Sequence, residues 1–329
     1  MNIRPFKWRD IFLLNSYRRK GLFLDSMRVL IHGQALIPMG AFLTYWGLST
    51  RIFTYRCDVN TRRPLIGQVT YVKGSAYARL SYLAPENGLE AVGLSALSDL
   101  MAMQVGMEGA FHILADVDES SPVYPLLRRA GFAIYARQRI WRLDGKAIGD
   151  EDHVSWRPCR SGDVLGAHSL YCNVVPGLVQ QVEPLPKRNL KGFVHFQHGE
   201  LRAFVELKFG RNGIWVQPFV HPDAEDFDRH LIQLLRQLPG RSGRPLYICV
   251  RSYQSWLEAA IEETGAQSGP QQAVMVRHLS VNLRVKQALP VHAINGTRTE
   301  PTAPIAQIED SRHRELSEAE KHPRTDSVS

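Results

Sequence analysis

The sequence predicts an α/β (α+β) protein made of two consecutive, similar units, and three observations predict it. At 329 residues the chain exceeds one ordinary domain and suits two. The same run of elements occurs twice: hairpin, Pro, helix, strand, helix, Gly, strand. Between the two runs, residues 144–153 (DGKAIGDEDH) are polar, contain Gly and show no hydrophobic period, as a linker does. The reading therefore divides the chain into residues 1–143, a linker 144–153, residues 154–287 and a tail 288–329.

The first unit opens with a strand at Ile3–Trp8 and a helix through Ile11, Leu14 and Tyr17 that stops at Gly21. A second helix starts at Asp25, a suitable N-cap, and ends at Gly33. Strand-like runs follow at Phe42–Tyr45, Arg51–Arg56, Leu65–Val72 and Ala78–Leu83, the last two joined by Lys73-Gly74-Ser75 as a hairpin. Leu94, Leu97, Leu100, Met101 and Val105 recur at helical spacing. The strand Phe111–Val117 leads to a helix through Leu126, Leu127 and Ala130. Gly131 ends that helix, and Ala133–Leu143 closes the unit.

In the second unit Phe204–Phe209 and Ile214–Val220 form a hairpin before Pro222. A helix through Phe227, Leu231, Leu234, Leu235 and Leu238 follows. The strand Leu246–Val250, a helix through Trp256, Leu257, Ala260 and Ile261 ending at Gly265, and the strand Ala273–Leu279 complete it. A slide of about 136 residues pairs Gly74 with Gly210. A competing register sets Leu65-Ile66-Gly67 against Leu190-Lys191-Gly192. The tail is rich in Pro, Thr, Ser, Glu, Arg and His without apolar period and is expected to be disordered.

Hydrophobic content of 44% and charged content of 22% are those of a globular protein, and no apolar run reaches about 18 residues, so no membrane span and a cytoplasmic location are expected. Four cysteines without a CxxC pair argue against both a disulfide framework and a zinc ribbon. The histidines form no HxH or HExxH pattern, so no metal is expected. Residues 1–63 hold eleven Lys/Arg against three Asp, which suits a solvated basic face or an anionic partner. Without an aromatic-basic module, nucleic acid is the weaker reading.

Leu126-Leu127-Arg128-Arg129-Ala130-Gly131-Phe132, set after hairpin, helix and strand, resembles the segment that enters the last strands of the GNAT (Gcn5-related N-acetyltransferase) superfamily. The whole chain resembles a tandem GNAT protein: two consecutive GNAT-like domains, each a mixed, mostly antiparallel twisted sheet flanked by helices. The resemblance implies an acyl-CoA-dependent N-acyltransferase, with acetyl-CoA as co-substrate held where two central strands splay apart in the first domain. Its acceptor would be a small-molecule or peptide amine in the groove between the copies.

Pyrophosphate would sit at the helix start after Pro85. There Glu90-x-x-Gly93-x-Ser95 fits the family's spacing, with Gly88, Gly93, Leu94 and Ser95 as binding positions. Glu90 stands where the family has a basic or amide residue, so an ordinary acid-favouring helix start is the other reading. The polarising N–H would come from around Leu83, and Ser120 holds the family's Asn position.

The proton-donor position is Leu127, which cannot donate; Tyr124, one helical turn earlier, is the candidate in its place, with a packed aromatic as the alternative. Asp116 is the candidate base, with a solvated carboxylate beside Asp118 and Glu119 as the alternative. In the second copy Ile261 and Gln254 hold the donor and polar positions. Pro222-Asp223-Ala224-Glu225-Asp226-Phe227-Asp228 has four carboxylates and no glycine, which argues against CoA there. Leu127, Ile261 and both acidic loops support the alternative function, a catalytically inactive GNAT-fold binding or scaffold protein.

Overall fold

The computed structural model describes residues 2–17, 20–33, 50–58, 64–144, 156–238 and 240–279. All of them lie in one compact unit, Met1–Asn282. The expected strand Phe42–Tyr45, nearly all of the linker and the tail lie outside the described residues.

The first half runs β1 (Asn2–Pro5), α1 (Ile11–Tyr17), β2 (Leu22–Phe23), α2 (Ser26–His32), β3 (Thr50–Asp58), β4 (Leu65–Val72), β5 (Tyr77–Ala84), α3 (Ala91–Met107), β6 (His112–Asp118), α4 (Val123–Arg129) and β7 (Ala133–Leu143). The second half repeats the plan: β8 (Trp156–Pro158), α5 (Val164–Val174), α6 (Gly177–Val182), β9 (Gly192–Gln197), β10 (Glu200–Phe209), β11 (Ile214–Val220), α7 (Phe227–Gln237), β12 (Leu246–Arg251), α8 (Leu257–Glu263) and β13 (Gln267–His278).

Local chemistry sets several boundaries. The Asp25 carboxylate accepts the Arg28 N–H at 3.2 Å, capping α2. Gly131 and Gly265 both take left-handed φ (86° and 80°) at the ends of α4 and α8, which releases the chain into the final strand of each half. A further repeat is seen only in the folded chain. Arg4-Pro5 and Arg157-Pro158 each precede by a few residues an Asp, Asp10 or Asp163, held by both guanidinium nitrogens at 2.7 and 2.8 Å or 2.6 and 2.7 Å. Each Asp also accepts the N–H three residues before it, at 2.9 and 2.8 Å, fixing the turn into α1 and α5.

One mixed sheet runs through both halves in the order β1-β3-β4-β5-β6-β13-β7-β12-β11-β10-β9-β8, with β2 paired to β5. Among the described residues only β5 with β6 and β11 with β12 are parallel. The closing strands are exchanged: β13 lies against β6, β7 against β12, and the two pair with each other. Thus Ala133–Leu143 does not close its own half beside β6, as expected from sequence order.

Helices cross over as well. Ile31 of α2 packs on Ile140, Trp215 and Cys249, and Asn212 N–H donates to Ile31 O at 2.8 Å. Residues of α5 and α6 rest on Leu114 of β6 and on Val274 and Val276 of β13. On the opposite face, α3 and α4 bury Leu94, Leu97, Met101 and Leu127 over the first half, while α7 and α8 bury Leu231, Leu235, Leu257 and Ile261 over the second. No helix among the described residues is long and apolar enough to cross a membrane.

Candidate functional site

The two parallel strand pairs each hold together over three residues and then part. β5 and β6 are in register from Tyr77–His112 to Arg79–Leu114, and β11 and β12 from Ile214–Leu246 to Val216–Ile248. Beyond those points each pair opens a gap whose edges carry unpaired backbone groups, and both gaps are filled by the chain itself.

In the first half the filler is backbone. Lys20 O accepts the Glu86 N–H at 2.8 Å, Leu22 and Phe23 pair with Leu83 and Tyr82, and Leu24 N–H donates to Ser81 O at 3.2 Å. Leu24 O then accepts the Asp116 N–H at 2.8 Å, so one residue bridges both splayed strands. Gly21 is required here, because a Cβ would lie 2.2 Å from the Tyr82 hydroxyl, which itself donates to Tyr17 O at 2.6 Å. Ser81 is an extra residue on β5 opposite the step from Gln68 to Val69, a bulge of the kind found beside active sites.

In the second half the filler is a side chain. Gln254 is 2% exposed; with its amide nitrogen 3.1 Å from Pro218 O, its oxygen accepts the Val220 N–H at 3.0 Å.

A cavity of about 80 Å³ lies on the other face of the sheet from α3 and α4, where the halves meet. Strand alternation decides its lining: Ala78 and Leu80 face α3, so Tyr77 and Arg79 face the cavity; Ala115 and Val117 face α3, so Asp116 faces the cavity. Arg251, Lys208 and Glu206 enter from the second half, and Glu183 from the segment after α6. The Glu183 carboxylate accepts from Arg79 at 2.7 Å and from Arg251 at 2.6 Å. Burial alone would raise its pKa, but Arg251 and Arg79 outweigh burial and hold it below the usual range.

Asp116 accepts the Ser26 N–H at 3.0 Å and stands 3.5 Å from Arg79. Burial pushes its carboxyl up, against the pull of Arg79 and with Asp25 adding to the rise. Two donors of Arg251, Nε and Nη1, are buried without a hydrogen-bond partner.

No protein-family model matches the sequence, and no curated protein does. A GCN5-related N-acetyltransferase structure from Sphaerobacter thermophilus superposes with a TM-score of 0.50 at 11% identity, covering 84% of this chain and 95% of that one. The chain has the tandem GNAT fold. Looser likeness extends to a tandem GNAT protein from the clavulanic acid biosynthesis pathway (TM-score 0.44, 13% identity, 85% and 98% covered). It extends also to a GNAT-family acetyltransferase from Colwellia psychrerythraea (0.41, 14%, 84% and 100%).

Set against the GNAT plan, the expected site residues separate. Asp116 is a buried strand residue on the cavity, 4% exposed, and not a solvated carboxylate. Tyr124 packs half-buried against the α3–α4 core, on the opposite face of the sheet from Asp116. Ser120 is exposed and spends its N–H and its hydroxyl on Asp118, at 3.0 and 2.9 Å.

At the gap mouth several of the expected binding positions are engaged within the chain. Leu83 pairs with Leu22, and Glu86 N–H is held by Lys20 O. Gly88 N–H is bonded to Pro85 O (3.2 Å) and Leu94 N–H to Glu90 O (2.9 Å). Gly93 and Leu94 are buried in the first turns of α3, and Ser95 is half-buried there. At the second gap α7 begins at Asp226, itself in a left-handed conformation, among further carboxylates.

Sequence reasoning missed Arg79, Glu183 and Arg251. Arg79 carried the one available signal, a charge inside the otherwise apolar run Tyr77–Ala84. Among the described residues no three His, Cys, Asp or Glu are grouped to hold a metal.

Proposed function

We propose that this GNAT-fold protein is a small-molecule-binding protein whose ligand enters the cavity between the halves, and that it does not use acyl-CoA. The observation that carries the reading is Lys20–Leu24, which takes up the β5 edge and bridges to β6 where the family lays its acyl donor. An acyl donor would have to break these backbone bonds and lift Leu24, 2% exposed, out of the core. Leu127 and Ile261, both at 0% exposure, leave the donor positions of both copies without a proton to give.

The test is calorimetric titration of the full chain with acetyl-CoA, run beside mass spectrometry of a mixed set of small-molecule and peptide amines. No heat and no acetylated product are expected. Saturable binding with product overturns the reading.

A second reading, GNAT-type acyl-CoA-dependent N-acyltransfer to a small-molecule or peptide amine, is favoured by the bulge at Ser81 and by Asp116 facing a cavity beside the same gap. That reading requires β2 to leave. It predicts that acetyl-CoA speeds hydrogen exchange at the Leu24 and Asp116 amides.

A further inference from the structure

We infer that the cavity between the halves takes a small molecule bearing both an amine and a carboxylate, an amino acid of about alanine's size. The inference rests on the binding reading above and names the ligand class. Size comes first. A volume of about 80 Å³ has room for roughly six waters, enough for a small amino acid, and Met27, Tyr77, Arg79 and Lys208 also line an adjoining space of about 710 Å³.

Charge narrows the choice. The lining carries Arg79, Lys208 and Arg251 against Asp116, Glu183 and Glu206, three of each sign. A lining balanced in this way disfavours a dianion such as phosphate, which needs a surplus of cations, and a polyamine, which needs a surplus of acids.

The bonding within the cluster decides the rest. Glu183 is consumed by Arg79 and Arg251, and Glu206 stands 3.4 Å from Lys208. Of the charged side chains less than a tenth exposed, one of each sign is left under-bonded, whereas Lys208, 40% exposed, also meets solvent. Arg251, with a side chain 6% exposed, has used Nη2 on Glu183 and has Nε and Nη1 left without acceptors. Asp116, with a side chain 3% exposed, has one oxygen on a backbone N–H and the other at 3.5 Å from Arg79, long for a charge-assisted bond.

A carboxylate supplies acceptors to Arg251, and an ammonium supplies donors to Asp116. A plain carboxylate leaves Asp116 as it is, and a plain amine leaves Arg251 as it is. Tyr77, Trp215 and Phe219 offer apolar ring surface to a short side chain.

The experiment is calorimetric titration of the full chain with L-alanine, with propionate, which is alanine without its amine, and with ethylamine, which is alanine without its carboxylate. Alanine is expected to bind about tenfold or more tightly than either of the others. Asp116→Asn is expected to erase the advantage of alanine over propionate, and Arg251→Lys to weaken both. Should a variant fail to fold, as judged by circular dichroism, the wild-type series alone decides.

Equal affinity for alanine and propionate, or for alanine and ethylamine, overturns the assignment. So does failure of alanine to bind while uncharged polar metabolites raise Tm, an outcome that leaves the binding reading in place. Acetylation of alanine by acetyl-CoA would remove the binding reading and leave the ligand class in place.

Discussion

Asp116 is a carboxylate the fold tolerates rather than needs. Its burial raises its pKa, and Arg79 at 3.5 Å offsets that only in part, so the folded state holds the Asp116 proton more tightly than the unfolded state does. For a raised carboxyl the sign follows: stability is greatest below the ordinary Asp value near ~4 and falls as pH rises through the folded value. Asp116→Asn keeps an oxygen for the Ser26 N–H and removes the charge. The variant is expected to be more stable than wild type at pH 7 by on the order of 1 kcal/mol, the trade usual at a functional site. That gain should vanish in acid, where wild-type Asp116 is itself protonated; urea melts at both pH values check it, and a gain equal at both would refute the account. Asp116 was readable as a candidate because it lies near the end of the expected strand Phe111–Val117, but its burial was not. Its partners were not, because Arg79 and Glu183 stand 104 positions apart, and Glu183 and Arg251 68. Tyr124 shows the opposite limit: counting back one helical turn from Leu127 was sound, yet spacing along a helix does not say which face of the sheet that helix covers.

At the scale of elements, caps and turns were readable and β2 was not. Asp25 as N-cap, Gly74 in the hairpin turn and Gly131 and Gly265 at helix ends all act through their own dihedral angles or local hydrogen bonds, which residue type reports directly. β2 is two residues long, too short for any period to show, and its partners Tyr82 and Leu83 lie some sixty positions on. What holds it is tertiary: Leu24 in the core, Gly21 against the Tyr82 ring, and bonds to Ser81, Glu86 and Asp116. Gly21→Ala forces a methyl into that ring and is expected to cost about 1–3 kcal/mol, as overpacking does. The loss should be local, with faster hydrogen exchange at Leu24, Asp116 and Glu86 and little change in α7 and α8. The same variant separates the two functional readings. If β2 is a lid over a working acyl site, loosening it makes acetyl-CoA bind measurably; if the gap is permanently occupied, the variant is only less stable.

At the scale of the molecule, the repeat was legible and the exchange of closing strands was not. Alternating side chains tell which face of β7 or β13 is buried, but they do not name the neighbour, and both strands present a similar apolar face to either edge. The exchange has a thermodynamic consequence. Remove residues 156–279 and β6 loses β13 along seven registered positions, β7 loses both neighbours, and α2 loses the floor made by Trp215 and Cys249. Each half alone thus exposes two unpaired strand edges and an apolar helix face, a combination that aggregates or domain-swaps instead of folding. The intact chain is therefore expected to melt in one calorimetric transition, with van't Hoff and calorimetric enthalpies in agreement. Residues 1–150 expressed alone should give no cooperative transition, whereas the two fragments 1–150 and 151–329 made together should associate and regain it. Two separate transitions in the intact chain, or a cooperative monomeric melt of 1–150, would mean that each half closes its own sheet. The cavity would then be a cleft between independent domains, and Arg79 would be free to leave Glu183 without unfolding anything.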